Sequence, residues 1–311
     1  MNTHTYRTVD VPVSGGNQRV GVWDPTGAAL EGDMPTVLAI HGVTSSHLAW
    51  TFVAHQLPGV RIIAPDLRGR GMSNTLTGPA GMASHARDLV AVLDHFELDS
   101  LPVIGHSMGG FVAVTLAHRA PERVDRLLLV DGGLPLDAPV GVPAEQLVDA
   151  ILGATAERLS RRFATVEDYF DFWRQHPAFR DCWVPELEEY FRYDLVRDGD
   201  AYRPATSLEV TTEDTVDLHT GTTLAEALDA LSTFGKPIQL VTVPRGLQNE
   251  TPGLYPPAHL ARLLEQYPCV EHEFFDGLNH YTVVMSTAGA ERLVPLVLAA
   301  TAPTSLRARV D

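Results

Sequence analysis

Short apolar runs alternate with longer stretches of helical spacing through residues 1–133, and the same rhythm returns after residue 235. Residues 36–40, 61–64, 101–104 and 126–130 are four such runs, too short for helices and apolar without alternation, which predicts strands buried on both faces. Between them, residues 82–96 bring Ala86, Leu89, Val90, Leu93 and Phe96 onto one helical face, and residues 47–57 and 111–119 also read as helices. Upstream, residues 8–13 and 19–23 alternate apolar and polar positions around Gly15-Gly16-Asn17, the pattern of an antiparallel hairpin at a sheet edge. Strand and helix in alternation predict an α/β fold with a mostly parallel sheet covered on both faces.

After Gly133 the pattern changes. No buried-strand run is apparent over residues 134–234; helices are expected at 145–152, 165–175 and 185–196, and the polar stretch 198–218 reads as a loop. Aromatic residues concentrate here, among them Phe170, Phe172, Trp173, Phe179, Trp183, Tyr190, Phe191 and Tyr193. The segment therefore reads as a helical lobe inserted into the sheet domain, dividing the chain into 1–133, the lobe 134–234, and 235–311. Most of these aromatics are expected to fill the lobe's own core, with Trp183, Phe172 and Trp173 as candidates to line a substrate pocket. A strand at 237–243, a helix at 257–267, a strand at 270–275 and an amphipathic helix at 288–300 close the domain, and 301–311 reads as a tail.

Composition narrows the function. A formal charge of −16 over 311 residues leaves no basic stripe for phosphates, which argues against nucleic-acid partners. Cys182 and Cys269 are the only cysteines and form no paired motif, which suits free thiols in the cytoplasm. The polar start, residues 1–10, lacks a signal-peptide core, and no window is apolar enough to span a membrane. The histidines and carboxylates show no metal-ligand spacing, and no cofactor is expected.

Chemistry concentrates at Gly105-His106-Ser107-Met108-Gly109-Gly110. The apolar run 101–104 enters this stretch as a strand and residues 111–119 leave it as a helix, so a very tight turn must join them. Gly105 and Gly109 flank Ser107 with no Cβ, which lets strand and helix approach and leaves the serine hydroxyl exposed at a helix start. There the dipole and free N–H groups favour developing negative charge. Ser107 is thus the candidate nucleophile, and the Met108 amide, next in the chain, a candidate oxyanion donor.

His41-Gly42 after the third strand, the turn from Asp66 to Ser73, the glycine–serine motif and the late Asn279-His280 together resemble the α/β-hydrolase superfamily, in family order and along the whole chain. The resemblance implies a mostly parallel eight-stranded sheet with helices on both faces and an inserted helical cap at 134–234. It also implies His280 as the catalytic base, in the loop after the last strand, and the Val43 amide as the second oxyanion donor. The acid is less direct. The common position, a few residues past Gly246, holds Asn249, which cannot supply a negative charge, with Glu250 beside it. A second position used in part of the superfamily, the end of the strand after the nucleophile helix, holds Asp131. Asp131 is preferred and Glu250 is the alternative. His106 and His41 are assigned to packing and loop support, Asp66 and Arg68 to scaffolding of the Gly69/Gly71 turn, and Thr44, Ser45 and Ser46 to capping the helix near His47.

The expected activity is cofactor-free hydrolysis of a small hydrophobic carboxylic ester or lactone through an acyl-enzyme. Thioester, amide or carbon–carbon bond hydrolysis, acyl transfer or perhydrolysis, and a receptor-type homologue with little turnover are the alternatives. Ser107 counts against the haloalkane dehalogenase and epoxide hydrolase branches, which use a carboxylate nucleophile.

Overall fold

Leu38 and Ile40 point to one side of the sheet and Val37 and Ala39 to the other, and all four are buried. That is the signature of a strand covered on both faces. In the computed structural model, which describes residues 4–26, 34–137, 153 and 155–302, this strand lies inside an eight-stranded sheet of order β1-β2-β4-β3-β5-β6-β9-β10. β1 (His4–Val13) and β2 (Gly16–Pro25) form the expected edge hairpin and join antiparallel to β4 (Arg61–Pro65). β3 (Thr36–Ile40), β4, β5 (Leu101–His106), β6 (Val124–Val130), β9 (Ile238–Thr242) and β10 (Val270–Phe274) run parallel to one another.

Two apolar clusters sandwich this sheet. On one side Leu38, Ile40, Val103 and Leu129 meet α2 (Met82–His95) and α3 (Met108–Arg119) through Leu89, Leu93, Phe111 and Val112. On the other, Val37, Ala39, Ile104 and Val130 meet α1 (Thr51–Gln56) and the last helix through Phe52, Leu293 and Val297. This second cluster continues into Tyr169, Phe170, Trp173, Phe179 and Phe191.

Between β6 and β9 the chain forms α4 (Val166–Arg174), α5 (Pro185–Tyr193), the hairpin β7 (Leu195–Asp198) and β8 (Ala201–Pro204), α6 (Leu208–Thr220) and α7 (Thr222–Asp229). Thr165 and Asp168 cap α4 reciprocally, each side chain accepting from the other's amide. α8 (Pro257–Gln266) and α9 (Thr287–Thr301) complete the fold. The helix expected over 145–152 lies outside the described residues.

One expectation needs correcting: 198–218 is not a loop, for it carries most of the largely unburied β7–β8 hairpin and nearly all of α6. The strands are only four residues long and turn at Gly199, at φ 62°. The residues that α6 buries are Thr211, Asp214 and Thr215, so its inward face is polar and leaves no apolar periodicity to read. Among the described residues no helix is long and apolar enough to cross a membrane.

The crossing of α3 over β3 gives a test. A Cβ at Gly109 would lie 2.2 Å from the Ile40 carbonyl oxygen. Gly109→Ala, which would stabilise an ordinary helix interior, should instead cost on the order of 2–3 kcal/mol. Urea denaturation reads this, and a midpoint at or above that of the wild type would contradict the close approach.

Candidate active site

β5 ends at His106 and α3 begins at Met108, so Ser107 alone makes the turn. Its backbone, at φ 55° and ψ −125°, lies where L-residues are strained by roughly 1–3 kcal/mol. Three glycines make room for it. A Cβ on Gly105 would meet the Gly109 carbonyl oxygen at 2.3 Å, one on Gly109 would meet Ile40, and one on Gly132 would lie 2.1 Å from the Ser107 carbonyl oxygen. The Ser107 amide donates to the Val130 carbonyl at 2.9 Å, tying the turn to the end of β6.

Asp131 follows directly, itself at φ 47°, with its amide donating to Val241 at 2.7 Å and its side chain fully buried. Its Oδ2 accepts from His280 Nδ1 at 2.6 Å, and His280 Nε2 lies 3.0 Å from Ser107 Oγ. A carboxylate on Nδ1 fixes the tautomer, leaving Nε2 to accept the serine proton. Asp131 Oδ1 has no partner among the described residues. The His280 backbone is fixed on both sides: its amide donates to Arg245, and its carbonyl accepts from His106 Nε2 at 2.8 Å. Burial, then the adjacent His280, pushes His106 well below the usual histidine range, so it is a neutral donor.

Glu250 turns back on its own loop, its Oε2 accepting from the Gln248 amide at 2.6 Å. Asn249 instead holds the histidine loop, its side-chain oxygen accepting from Asn279 Nδ2 at 3.1 Å. Asn279 Oδ1 in turn accepts from the amides of Tyr281 and Thr282. Asn249 carries no local sequence signal for this role, because its partner Asn279 lies 30 residues away along the chain.

Val43 and Met108 line a cleft of about 110 Å³ with Ser107 and His280, and Phe111, Leu136, Leu218 and Leu254 supply its apolar walls. Neither the Val43 nor the Met108 amide donates to an acceptor among the described residues. The Val43 carbonyl accepts from Arg70 Nε at 2.7 Å, which sets the plane of the following peptide. Arg70 is fully buried; its Nη1 donates to the Arg68 carbonyl and to Asp214 of α6, and its Nη2 approaches Met108 Sδ at 3.9 Å. Asp214 Oδ1 accepts from the Gly81 amide and from His85 Nε2. Burial alone would raise the Asp214 carboxyl, but Arg70 and His85 hold it well below the carboxylate range.

Asp66 organises the neighbouring loop. Oδ1 accepts from the amide and the ring Nδ1 of His47, and Oδ2 from the Met72 amide and the Tyr193 hydroxyl. It therefore caps the turn at His47, the role expected of Ser46, whose own Oγ makes no hydrogen bond among the described residues. Arg68 chelates Asp88 instead. His41 bridges its loop, Nε2 accepting from the Leu67 amide, and burial lowers it to about 4.

The three aromatics expected to line the pocket are not in the Ser107 cleft. Trp183 stacks on Phe191 at 5.4 Å and Trp173 on the other side of the same ring system at 4.5 Å, inside the aromatic cluster. Phe172 and Trp173 line an adjacent cavity rather than the cleft. Ring-on-ring packing takes up Trp183, while Phe172 and Trp173 pack in the cluster and also face that cavity.

Comparison with known proteins agrees with this architecture. A family model described as alpha/beta hydrolase fold matches residues 35–175. The chain is 40% identical over 155 residues to Lipase LipV of Mycobacterium tuberculosis, covering 50% of this chain and 56% of that one. It is 36% identical over 126 residues to a 2-hydroxymuconate semialdehyde hydrolase of a Pseudomonas strain, covering 38% and 41%. The chain thus spans about half the length, or less, of these curated relatives. Among solved structures, a thioesterase domain from the curacin biosynthetic pathway superposes with a TM-score of 0.73 at 21% identity, over 94% of this chain and 99% of that one.

Asp66 yields a pH prediction. Burial raises its pKa, but His47, His41 and the Tyr193 hydroxyl overcome this and hold it at about 2. A depressed folded-state value means that Asp66 contributes stability in full above the unfolded range, near pH 4, and loses it as pH falls towards about 2. Urea midpoints measured across that window should drop in the wild type and drop less in Asp66→Asn, which starts lower. Parallel curves would exclude the linkage.

Proposed function

We propose that this chain, a member of the α/β-hydrolase superfamily, is a serine hydrolase that cleaves a hydrophobic carboxylic ester or lactone through an acyl-enzyme. The observation that carries the proposal is the hydrogen-bonded line Asp131–His280–Ser107, ending at a hydroxyl held on a strained turn. A serine hydroxyl is a poor nucleophile until a base takes its proton. In this mechanism Ser107 Oγ attacks the substrate carbonyl as its proton passes to His280 Nε2, and buried Asp131 stabilises the imidazolium. The carbonyl oxygen, now negative, is held by the amides of Val43 and Met108, each such donor being worth roughly 3–4 kcal/mol in the transition state. His280 then gives its proton to the leaving oxygen, and afterwards takes one from the water that frees the acid.

Arg70 serves this step as a positioning residue. By engaging the Val43 carbonyl it orients the loop whose amide faces the oxyanion, and through Asp214 it ties that loop to α6. We read 134–234 as a cap on a core formed by 1–133 and 235–311, because Asp214, Thr215, Leu218 and His219 of α6 wall the Ser107 cleft. Those apolar walls favour a hydrophobic group beside the scissile bond over a polar one.

Kinetics on p-nitrophenyl esters test the assignment. Ser107→Ala should abolish turnover with the fold retained, and Asp131→Asn should lower kcat by about 10⁴. Glu250→Gln should stay within a few-fold of wild type. A damaging Glu250→Gln with a mild Asp131→Asn would reverse the choice of acid.

A further inference from the structure

A second cavity, of about 340 Å³, adjoins the Ser107 cleft, and Thr155 and Leu247 wall both. Tyr281, the residue after His280, also lines it, as do Arg158, Arg161, His176 and Gln248. Where the cleft beside Ser107 is apolar, this neighbour carries cationic and polar donors.

Arg158 is the unusual member. It is 4% exposed, and only its Nη1 meets acceptors, the Tyr169 hydroxyl at 3.3 Å and Asp194 Oδ2 at 3.5 Å. Nε and Nη2 donate to nothing among the described residues, and the side chain lines the cavity. The guanidinium lies over the Trp173 ring at 5.1 Å, a contact that fixes its position without using an N–H. Asp194 is a poor counter-ion: it accepts from the Tyr169 hydroxyl as well, and burial pushes it up to about 6 in spite of Arg158. The Arg158 charge reaches across the cavity, where burial and then Arg158 lower His176 to about 4. The two nearby carboxylates are engaged elsewhere, Glu157 with Arg161 and Glu250 with the Gln248 amide. A buried cation with two unused, coplanar donors is costly unless an anion completes it, and a carboxylate matches that fork with two parallel hydrogen bonds.

We propose that this cavity is a subsite for a carboxylate carried by the substrate, taken by Arg158 through Nε and Nη2. The inference rests on the serine-hydrolase reading and narrows it to esters whose reacting carbonyl lies at Ser107 and whose free carboxylate reaches past Leu247. Recognition is then two-sided, with an apolar portion against Phe111 and Leu254 and an anionic end on Arg158. A purely aliphatic ester leaves Nε and Nη2 without partners and forgoes that interaction.

Two substrate series test this: p-nitrophenyl half-esters of straight-chain dicarboxylic acids, with the carboxylate on the acyl side, and acetate esters of ω-hydroxy acids, with it on the alcohol side. Each is paired with its methyl-terminated neutral isostere. In one series, at one chain length, the carboxylate substrate should lead in kcat/KM by about tenfold or more. Arg158→Met should remove most of that lead, lowering the carboxylate member far more than its isostere, and Arg158→Lys should keep part of it. Neutral isosteres that match or outrun the carboxylates at every length would overturn the subsite, as would an equal loss for both members of a pair in Arg158→Met. Should that variant not fold, inhibition of the wild type decides: the free diacid of preferred length must compete at lower concentration than its monomethyl ester, and the reverse order overturns the proposal. Absence of hydrolysis in both series overturns the serine-hydrolase reading and this one with it, whereas hydrolysis confined to the neutral members overturns this one alone.

Discussion

The turn at Ser107 is the constraint on which the rest depends. A single residue reverses the chain from strand to helix at a positive φ, and it can do so only because Gly105, Gly109 and Gly132 admit backbone within van der Waals range. Parallel strands end side by side, so the same edge of the sheet receives the loop after β3 with Gly42 and Val43, Ser107 after β5, and Asp131 after β6. His280 arrives from the far side of the sequence, anchored to Arg245 at the end of β9 and to His106 beneath it. The hydrogen-bonded line of three side chains is therefore a product of sheet topology, and local sequence around any one of them would not assemble it.

Buried charge holds the loops around that line. Asp66 gathers four donors from three separate segments, and Arg70 joins Val43, Arg68, Asp214 and Met108 in the same way. Such groups add little net stability relative to apolar packing, but they define one arrangement, because any slip strands an unpaired charge. Asp214 belongs to the segment between β6 and β9, so a polar cluster ties that segment to the loop of Val43.

Sequence alone carried the fold well, for a physical reason. Strands such as Thr36–Ile40 are buried on both sides and read as unbroken apolar runs, and the glycines around Ser107 answer a steric need that no other residue meets. Asp131 and Val43 were reachable only through family position, since nothing local distinguishes an aspartate after a strand from a loop cap. α6 was illegible because it buries Thr211, Asp214 and Thr215, and binary patterning registers only apolar burial. The aromatics carry two roles that their density does not separate: Trp173, Trp183 and Phe191 stack on one another as a core, while Phe172 and Trp173 also face the cavity beside the Ser107 cleft. Arg70 and Arg158 left no signal, because an arginine's burial depends on partners far along the chain.

Fluorophosphonate labelling of the purified protein, with the adduct mapped by mass spectrometry, tests the central claim most directly, because the reagent reports an activated serine without presuming a substrate. The account predicts a single adduct on Ser107, absent from Ser107→Ala and formed far more slowly in Asp131→Asn. Folded protein that takes no label, or takes it at another residue, would contradict it.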